Sequence, residues 1–166
     1  ALPSTEPGTD ETYNVDNTTV IGETGQVTFS QANANAWQTV TLNNNYTNPV
    51  VIAQPPSFNG SNPSTVRLRN VTGTSFEVQI DEWDYLDGVH ITETVTYVVL
   101  EAGTHVLADG TRVIAGTLDT DHNFAQVHFS EQFVTTPVLI SQSQTKNGGS
   151  AIVTRQQYVS VDGFQV

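Results

Sequence analysis

The fold class is decided by the segment Gln38-Thr-Val-Thr-Leu-Asn-Asn-Asn-Tyr-Thr-Asn-Pro-Val-Val-Ile-Ala-Gln54. Its first part, Gln38–Leu42, alternates polar and apolar residues with a period of two, and a second apolar run follows an Asn-rich stretch. This alternation is typical of β-strands with one buried face. Similar runs recur along the chain with turn residues every ~8–12 positions, a spacing typical of all-β sandwiches or barrels. We therefore predict an all-β fold of antiparallel sandwich type.

The same criteria predict strands along most of the chain after residue 24. The predicted strands are Val27–Phe29, Gln38–Leu42, Val50–Gln54, Thr65–Asn70, Ser75–Ile80, Glu93–Leu100, Arg112–Ile114, Ala125–Phe129, Val138–Gln142, Ile152–Gln157 and Gly163–Val166. The dipeptide Asp109-Gly110 lies between apolar flanks and predicts a tight hairpin turn.

Composition excludes several classes of function. The chain has 166 residues, and its 5 Lys and Arg face 17 Asp and Glu, giving a formal net charge of −12. A surface of that sign repels nucleic acid and anionic lipid, so neither is an expected partner. No apolar stretch is long enough to span a membrane. The chain contains no Cys and no Met and opens with Ala1-Leu2-Pro3, which predicts a secreted or cell-surface protein released by signal-peptide cleavage.

The chain contains an internal repeat. Trp37–Leu42 matches Phe124–Phe129, and from Val50 onward the two copies keep a constant offset of 88 residues. The matched pairs include Val50 with Val138, Ile52 with Ile140, Arg67 with Arg155, Phe76 with Phe164 and Val78 with Val166. We therefore expect two copies of one sandwich module.

The second copy stops at Val166, where the first copy continues into a long predicted strand, Glu93–Leu100. A sandwich without a strand leaves backbone N–H and C=O groups unpaired. The segment Thr19–Gly25 resembles Val98–Gly103, so the N-terminus is predicted to supply the missing strand, with Tyr13, Val15, Val20 and Ile21 as contact residues. Closure within one chain and exchange between chains both remain open, and exchange would build a head-to-tail filament.

These observations divide the chain into four parts. They are an N-terminal tail or donor strand (1–24, with residues 10–24 as the strand), a complete sandwich (25–103), a hairpin linker (104–116) and an incomplete second sandwich (117–166).

Several short segments carry a resemblance to a known family. They are Trp37-x-x-Val-x-Leu42, Tyr46-x-x-Pro-Val50, Val66–Val71, Ser75–Val78 and Glu82–Val98. With them, Trp37–Gly103 resembles H-type lectin domains in the diverged tandem form of bacterial and archaeal secreted proteins. Residues 124–166 look like the first part of a second copy. The resemblance implies a small six-stranded antiparallel sandwich that binds sugars of the N-acetylgalactosamine type.

The resemblance also implies a sugar site. Family members use an Arg on a central strand, which Arg67 or Arg69 would match, together with aromatic or His side chains from the loop before the last strand. Trp83, Tyr85 and His90 lie in that loop. A structural role for these residues, in the core or in salt bridges, is the alternative interpretation.

The loop Asp81–Glu93 is also the most acidic part of the chain. Carboxylates are the ligands that Ca²⁺ prefers, so Asp84, Asp87 and Glu93 are candidate ligands for a bound Ca²⁺. A structural role for the cluster is again the alternative. No other cofactor is expected.

The sequence contains no nucleophile elbow, zinc-protease motif or phosphate-binding loop, so we predict no enzymatic activity. The predicted function is structural or adhesive: a subunit of an extracellular filament or matrix, with identical subunits and glycans as partners. The alternative is a carbohydrate-binding module from a longer tandem-repeat protein.

Overall fold

The computed structural model describes residues 20–166, and every regular element in that range is a β-strand. The strands are β1 (Gly22–Gln31), β2 (Gln38–Thr41), β3 (Pro49–Ala53), β4 (Ser64–Arg69), β5 (Ser75–Glu82), β6 (His90–Glu101), β7 (Gly103–Val106), β8 (Arg112–Ala115), β9 (Gln126–His128) and β10 (Gly163–Gln165). None of the described residues forms a helix that could cross a membrane.

The first six strands form two three-stranded antiparallel sheets, in the orders β1-β6-β3 and β2-β5-β4. The central strand β6 pairs along most of its length with β1, where Val27 faces Val95, and it pairs with β3 on its other side. Buried residues of both sheets form one shared core. This arrangement confirms the prediction of an all-β antiparallel fold and is consistent with a β-sandwich.

The core is aliphatic with one aromatic pair at its centre. Val51, Leu68, Val78, Val95 and Val99 have no exposed surface. Burying one such side chain stabilises a fold by about 1.5–3 kcal/mol. The rings of Phe76 and Tyr97 join the two sheets edge-to-face, with their centroids 5.0 Å apart.

The second half of the chain repeats the pairing of the first half in a smaller, two-stranded antiparallel sheet. Val127 of β9 faces Phe164 of β10, as Val40 of β2 faces Phe76 of β5. The loop bonds also repeat. The N–H of Tyr46 donates to Gly73 O at 2.8 Å, and the N–H of the matching Phe133 donates to Val161 O at 2.9 Å. The repeat found in the sequence therefore corresponds to repeated geometry.

Two strands predicted for the second half are not formed. Residues 138–142 and 152–157 match β3 and β4, yet neither stretch pairs as a strand, apart from one isolated bridge between Gln157 and Gln165. That bridge matches the final β4–β5 pair, Arg69 with Glu77. For residues 138–142 the physical reason is non-local, because β3 depends on pairing with β6, and in residues 20–166 no strand occupies the matching place beside residues 137–141.

The predicted donor segment 10–24 needs a correction at its C-terminal end. Gly22 and Thr24 lie in β1 and pair with Leu100 and Val98 of the same chain, so these residues belong to the first sandwich. The strand begins three residues before the predicted boundary at residue 25. Ile21 contributes its carbonyl to the N–H of Glu101, and Val20 is half-exposed. Tyr13 and Val15 lie outside the described residues.

Candidate functional site

Arg67 is buried on β4 beneath residues from the second half of the chain. Its Nη1 lies 3.5 Å from Asp81 Oδ2 and donates to the carbonyl of Ser150 at 3.1 Å, and its Nη2 donates to the carbonyl of Thr145 at 2.9 Å. Burial lowers the pKa of Arg67, and the charge of Asp81 partly offsets that effect. A guanidinium covered in this way holds the chain together and presents no open face to a sugar.

Residues 138–154, which we call the glutamine arm, lie against the open edges of the first sandwich. Gln144 Oε1 accepts the N–H of Val51 at 2.6 Å, and Gln142 Oε1 accepts the N–H of Ala53 at 2.6 Å. Gln142 Nε2 also donates to the carbonyl of Val66 on β4 at 3.1 Å. Side-chain amides thus cap the edges of both sheets, which would otherwise expose unpaired backbone groups.

Lys146 anchors the middle of the glutamine arm to the first sandwich. Its Nζ donates to Gln79 Oε1 at 2.6 Å and to Asp81 Oδ1 at 3.1 Å. Asp81 therefore forms an ion pair with one cation from each half of the chain, Arg67 and Lys146. A cavity of about 520 Å³ remains between the arm and the first sandwich, and its lining includes Ile52, Ile140 and other apolar side chains.

Arg69, the other predicted sugar-binding arginine, has two partners of its own. Its guanidinium lies 4.0 Å above the ring of Trp37, and its Nε contacts Glu77 Oε2 at 2.5 Å. The ring and the carboxylate fix its orientation on β4. The structure does not join Arg69 with Arg67 into one site.

His90 is buried between two carboxylates. Its Nδ1 lies 2.8 Å from Glu82 Oε1, and its Nε2 lies 3.3 Å from Glu93 Oε1. Glu93 also accepts the N–H groups of Asn59 and Gly60 at 2.9 and 2.6 Å. Glu93 therefore ties the 57–60 loop to β6. His90, which is enclosed by the two carboxylates, is not open to a ligand.

The pKa of Glu93 is set by opposing effects. Burial raises it, but hydrogen bonds from Ser57, Gly60, Asn59 and His90 outweigh burial, so the net pKa lies below its ordinary value. The carboxylate is thereby kept charged in the interior of the fold.

Trp83 lines a second, more polar cavity of about 290 Å³. Asp81, Asp84 and Asp87 share this cavity with backbone of the glutamine arm at Gly149. Tyr85 is 75% exposed and does not line the cavity. Of the predicted sugar contacts, Trp83 thus lies at an accessible concave surface, whereas Arg67 and His90 are buried.

The predicted Ca²⁺ ligands are not brought together. Asp84 Oδ1 accepts the N–H of Ala151 at 3.2 Å, and Asp87 Oδ1 accepts the N–H of Val89 at 3.0 Å. The carboxylate of Glu93 is taken by the 57–60 loop, as described above. Within residues 20–166, no three His, Asp or Glu side chains are placed to hold a metal ion.

Sequence reasoning missed the residues that join the two halves, namely Gln142, Gln144 and Lys146. Gln and Lys in a polar stretch are usually solvated, and no sequence pattern marks those that bond to the edge strand of a sheet instead. A partial signal existed for Glu23 and Glu101, which stand two residues before the end of the two similar segments, Thr19–Gly25 and Val98–Gly103. Both clamp one loop, since Glu23 accepts the N–H of Asn43 at 3.0 Å and Glu101 accepts that of Thr47 at 2.8 Å.

Comparison with known proteins finds similarity to a halomucin. No protein-family model matches the chain, and no solved structure matches it. A halomucin from Haloquadratum walsbyi is 37% identical over 148 residues, covering 83% of this chain. The chain spans about 2% of the length of that relative. Since neither half of the chain reaches 83% of its length, the similarity includes residues of both halves.

Proposed function

We propose that this chain is a non-enzymatic structural or adhesive protein that acts outside the cell, as a subunit of a surface filament or matrix. The subunits would join by donor-strand exchange, with the N-terminal segment of one copy completing the second half of the next. One observation carries the proposal. The second half reproduces the β2–β5 pairing in β9–β10 but leaves apolar residues exposed, including Val134 at 98%, Val138 at 94% and Ile140 at 67%.

Such exposure is costly for an isolated chain. Each apolar side chain left in water forgoes about 1.5–3 kcal/mol of stabilisation, and contiguous apolar surface marks an interaction site. A strand that added backbone hydrogen bonds and covered these side chains would recover that energy. The similarity to halomucin supports an extracellular or cell-surface location.

We also propose that the first sandwich is related to H-type lectin domains. The observed pair of three-stranded antiparallel sheets is compatible with the six-stranded sandwich that this resemblance implies. Carbohydrate binding is then the second candidate function, as a module of a longer protein. The cavity lined by Trp83 favours it, because an indole face stacks on sugar C–H groups and the neighbouring carboxylates accept hydrogen bonds from hydroxyls.

Electron microscopy tests the filament proposal. The full chain is compared in negative stain with a chain lacking residues 1–19, which leaves β1 intact because that strand begins at Gly22. We expect filaments from the full chain and none from the truncated one. A matched pair refines the test: Tyr13→Asp with Val15→Asp should abolish filaments, and Thr5→Asp with Thr9→Asp should not. Compact monomers from the full chain would refute the proposal.

A glycan array tests the second candidate. Binding by the full chain that is lost in Trp83→Ala and kept in Tyr85→Ala would assign sugar recognition to the cavity. An absence of binding to any glycan on the array would argue against it.

A further inference from the structure

The central strand of the first sandwich has a specific place in its sheet. β6 is flanked by β1 on one side and β3 on the other, and it is the longest strand among the described residues, with 12 residues. Its inward side chains Val95, Tyr97 and Val99 lie at the centre of the core. In a sandwich copy that lacks this strand, the counterparts of β1 and β3 have no central strand to pair with.

The second half contains counterparts of both flanking strands. β8 precedes β9 in the chain as β1 precedes β2. Residues 137–141 correspond to β3 at the constant repeat offset of 88. In the described part of the chain, β8 pairs with β7 alone and no strand pairs with residues 137–141.

One side chain beside this gap differs clearly from its matched residue in the first half. Leu139 is half-buried, whereas Val51 has no exposed surface. Val51 pairs with Val99 of β6. The greater exposure of Leu139 is therefore the difference expected where no β6-like strand is present.

We propose that the gap between β8 and residues 137–141 is a strand-binding site, and that residues 10–19 of a second copy occupy it as the central strand. This inference rests on the proposed function and specifies where the donor strand binds. Binding would draw residues 137–141 from the glutamine arm into a sheet and cover Val138 and Ile140.

Two features of the chain support this occupant. Ten residues in a strand span about 33 Å, which exceeds the length of the five-residue β3. The segment leads into Ile21-Gly22-Glu23, which resembles Val99-Leu100-Glu101 at the end of β6.

Disulfide trapping tests the site, because the chain has no cysteine of its own. Seven full-length variants are made, each with a single cysteine at one position from 12 to 18. Each is paired with a tagged full-length variant that carries Ile140→Cys. The two are mixed under mild oxidation and separated by mass. The matched control is Ile52→Cys, because Ile52 is the counterpart of Ile140 on β3.

We expect mixed disulfides with Ile140→Cys at alternate tail positions and at least tenfold fewer with Ile52→Cys. Equal or greater trapping by Ile52→Cys, or no trapping by either while filaments form, would overturn the site and leave the filament proposal standing. A chain that carries both a tail cysteine and Ile140→Cys tests the occupant. A disulfide within one monomer would show that the segment closes its own chain and would overturn exchange with a second copy.

Discussion

Tyr158 repeats the backbone of Asn70, 88 residues later in the chain: φ is 52° at Tyr158 and 49° at Asn70. Both residues precede a turn in which the next strand starts, since Ser75 begins β5 and Gly163 begins β10. Asn tolerates this left-handed conformation, whereas a bulky aromatic residue is strained in it. The second half thus keeps the turn of the first even where its sequence does not favour it.

Replacing Tyr158 should therefore stabilise the second half. Tyr158→Asn relieves the strain and is expected to raise the free energy of unfolding by about 1 kcal/mol. Circular dichroism at increasing temperature measures the effect, and Tyr158→Phe is the matched control that should change nothing. A lower melting temperature for Tyr158→Asn would show that the aromatic side chain contributes more than the strain costs.

The glutamine arm predicts a selective change in amide exchange. Gln142→Ala removes the acceptor of the Ala53 N–H, and Gln144→Ala removes that of the Val51 N–H. Each hydrogen bond contributes about 0.5–1.5 kcal/mol, so exchange at the affected amide should accelerate about tenfold. The two variants serve as each other's control in an NMR exchange experiment. Equal acceleration of both amides in either variant would mean that the whole arm detaches.

Arg67 and Arg155 form a matched pair for measuring the cost of a buried cation. Arg67→Ala leaves Asp81 without one of its two cations and is expected to cost about 3–5 kcal/mol. Arg155→Ala, at the exposed counterpart, should cost less than about 0.5 kcal/mol. Urea unfolding followed by tryptophan fluorescence reports on the first sandwich directly, because both tryptophans, Trp37 and Trp83, lie there. Similar costs at the two positions would contradict the unequal burial.

Glu93 predicts a loss of stability in acid. Its pKa is lowered in the folded state, so its contribution is complete above the ordinary glutamate pKa of 4.5 and is lost as pH falls through the folded value. Glu93→Gln should therefore destabilise the fold at pH 7 by about 1.5–3 kcal/mol and flatten the dependence of stability on pH below 5. Glu131→Gln is the control, since the Glu131 side chain is 65% exposed. If the stability of Glu93→Gln still fell with pH below 5 as it does in the unmodified chain, the loss of stability in acid would come from other carboxylates.

The candidate sugar residues illustrate what sequence patterns leave undecided. His90 and Trp83 are close in the chain and equally plausible as sugar contacts, yet one lies between Glu82 and Glu93 in the interior and the other at a cavity. Residue type and spacing do not show whether a side chain is buried or exposed in the folded chain. The partners that bury His90, such as the 57–60 loop through Glu93, come from distant positions.

Residue alternation, turn residues and the internal repeat were sufficient to predict the all-β class, the antiparallel strands of the first sandwich and the offset of 88 between the two halves. Period-two alternation and turn residues are local signals, whereas the Phe133–Val161 hydrogen bond of the second half joins residues far apart in the chain. The sequence did not predict that residues 138–142 would fail to pair as a strand, or that Gln142 and Gln144 would cap the first sandwich instead. The physical reason is that a strand is stabilised by its neighbour, and whether that neighbour is present depends on the assembled fold and not on the segment's own residues.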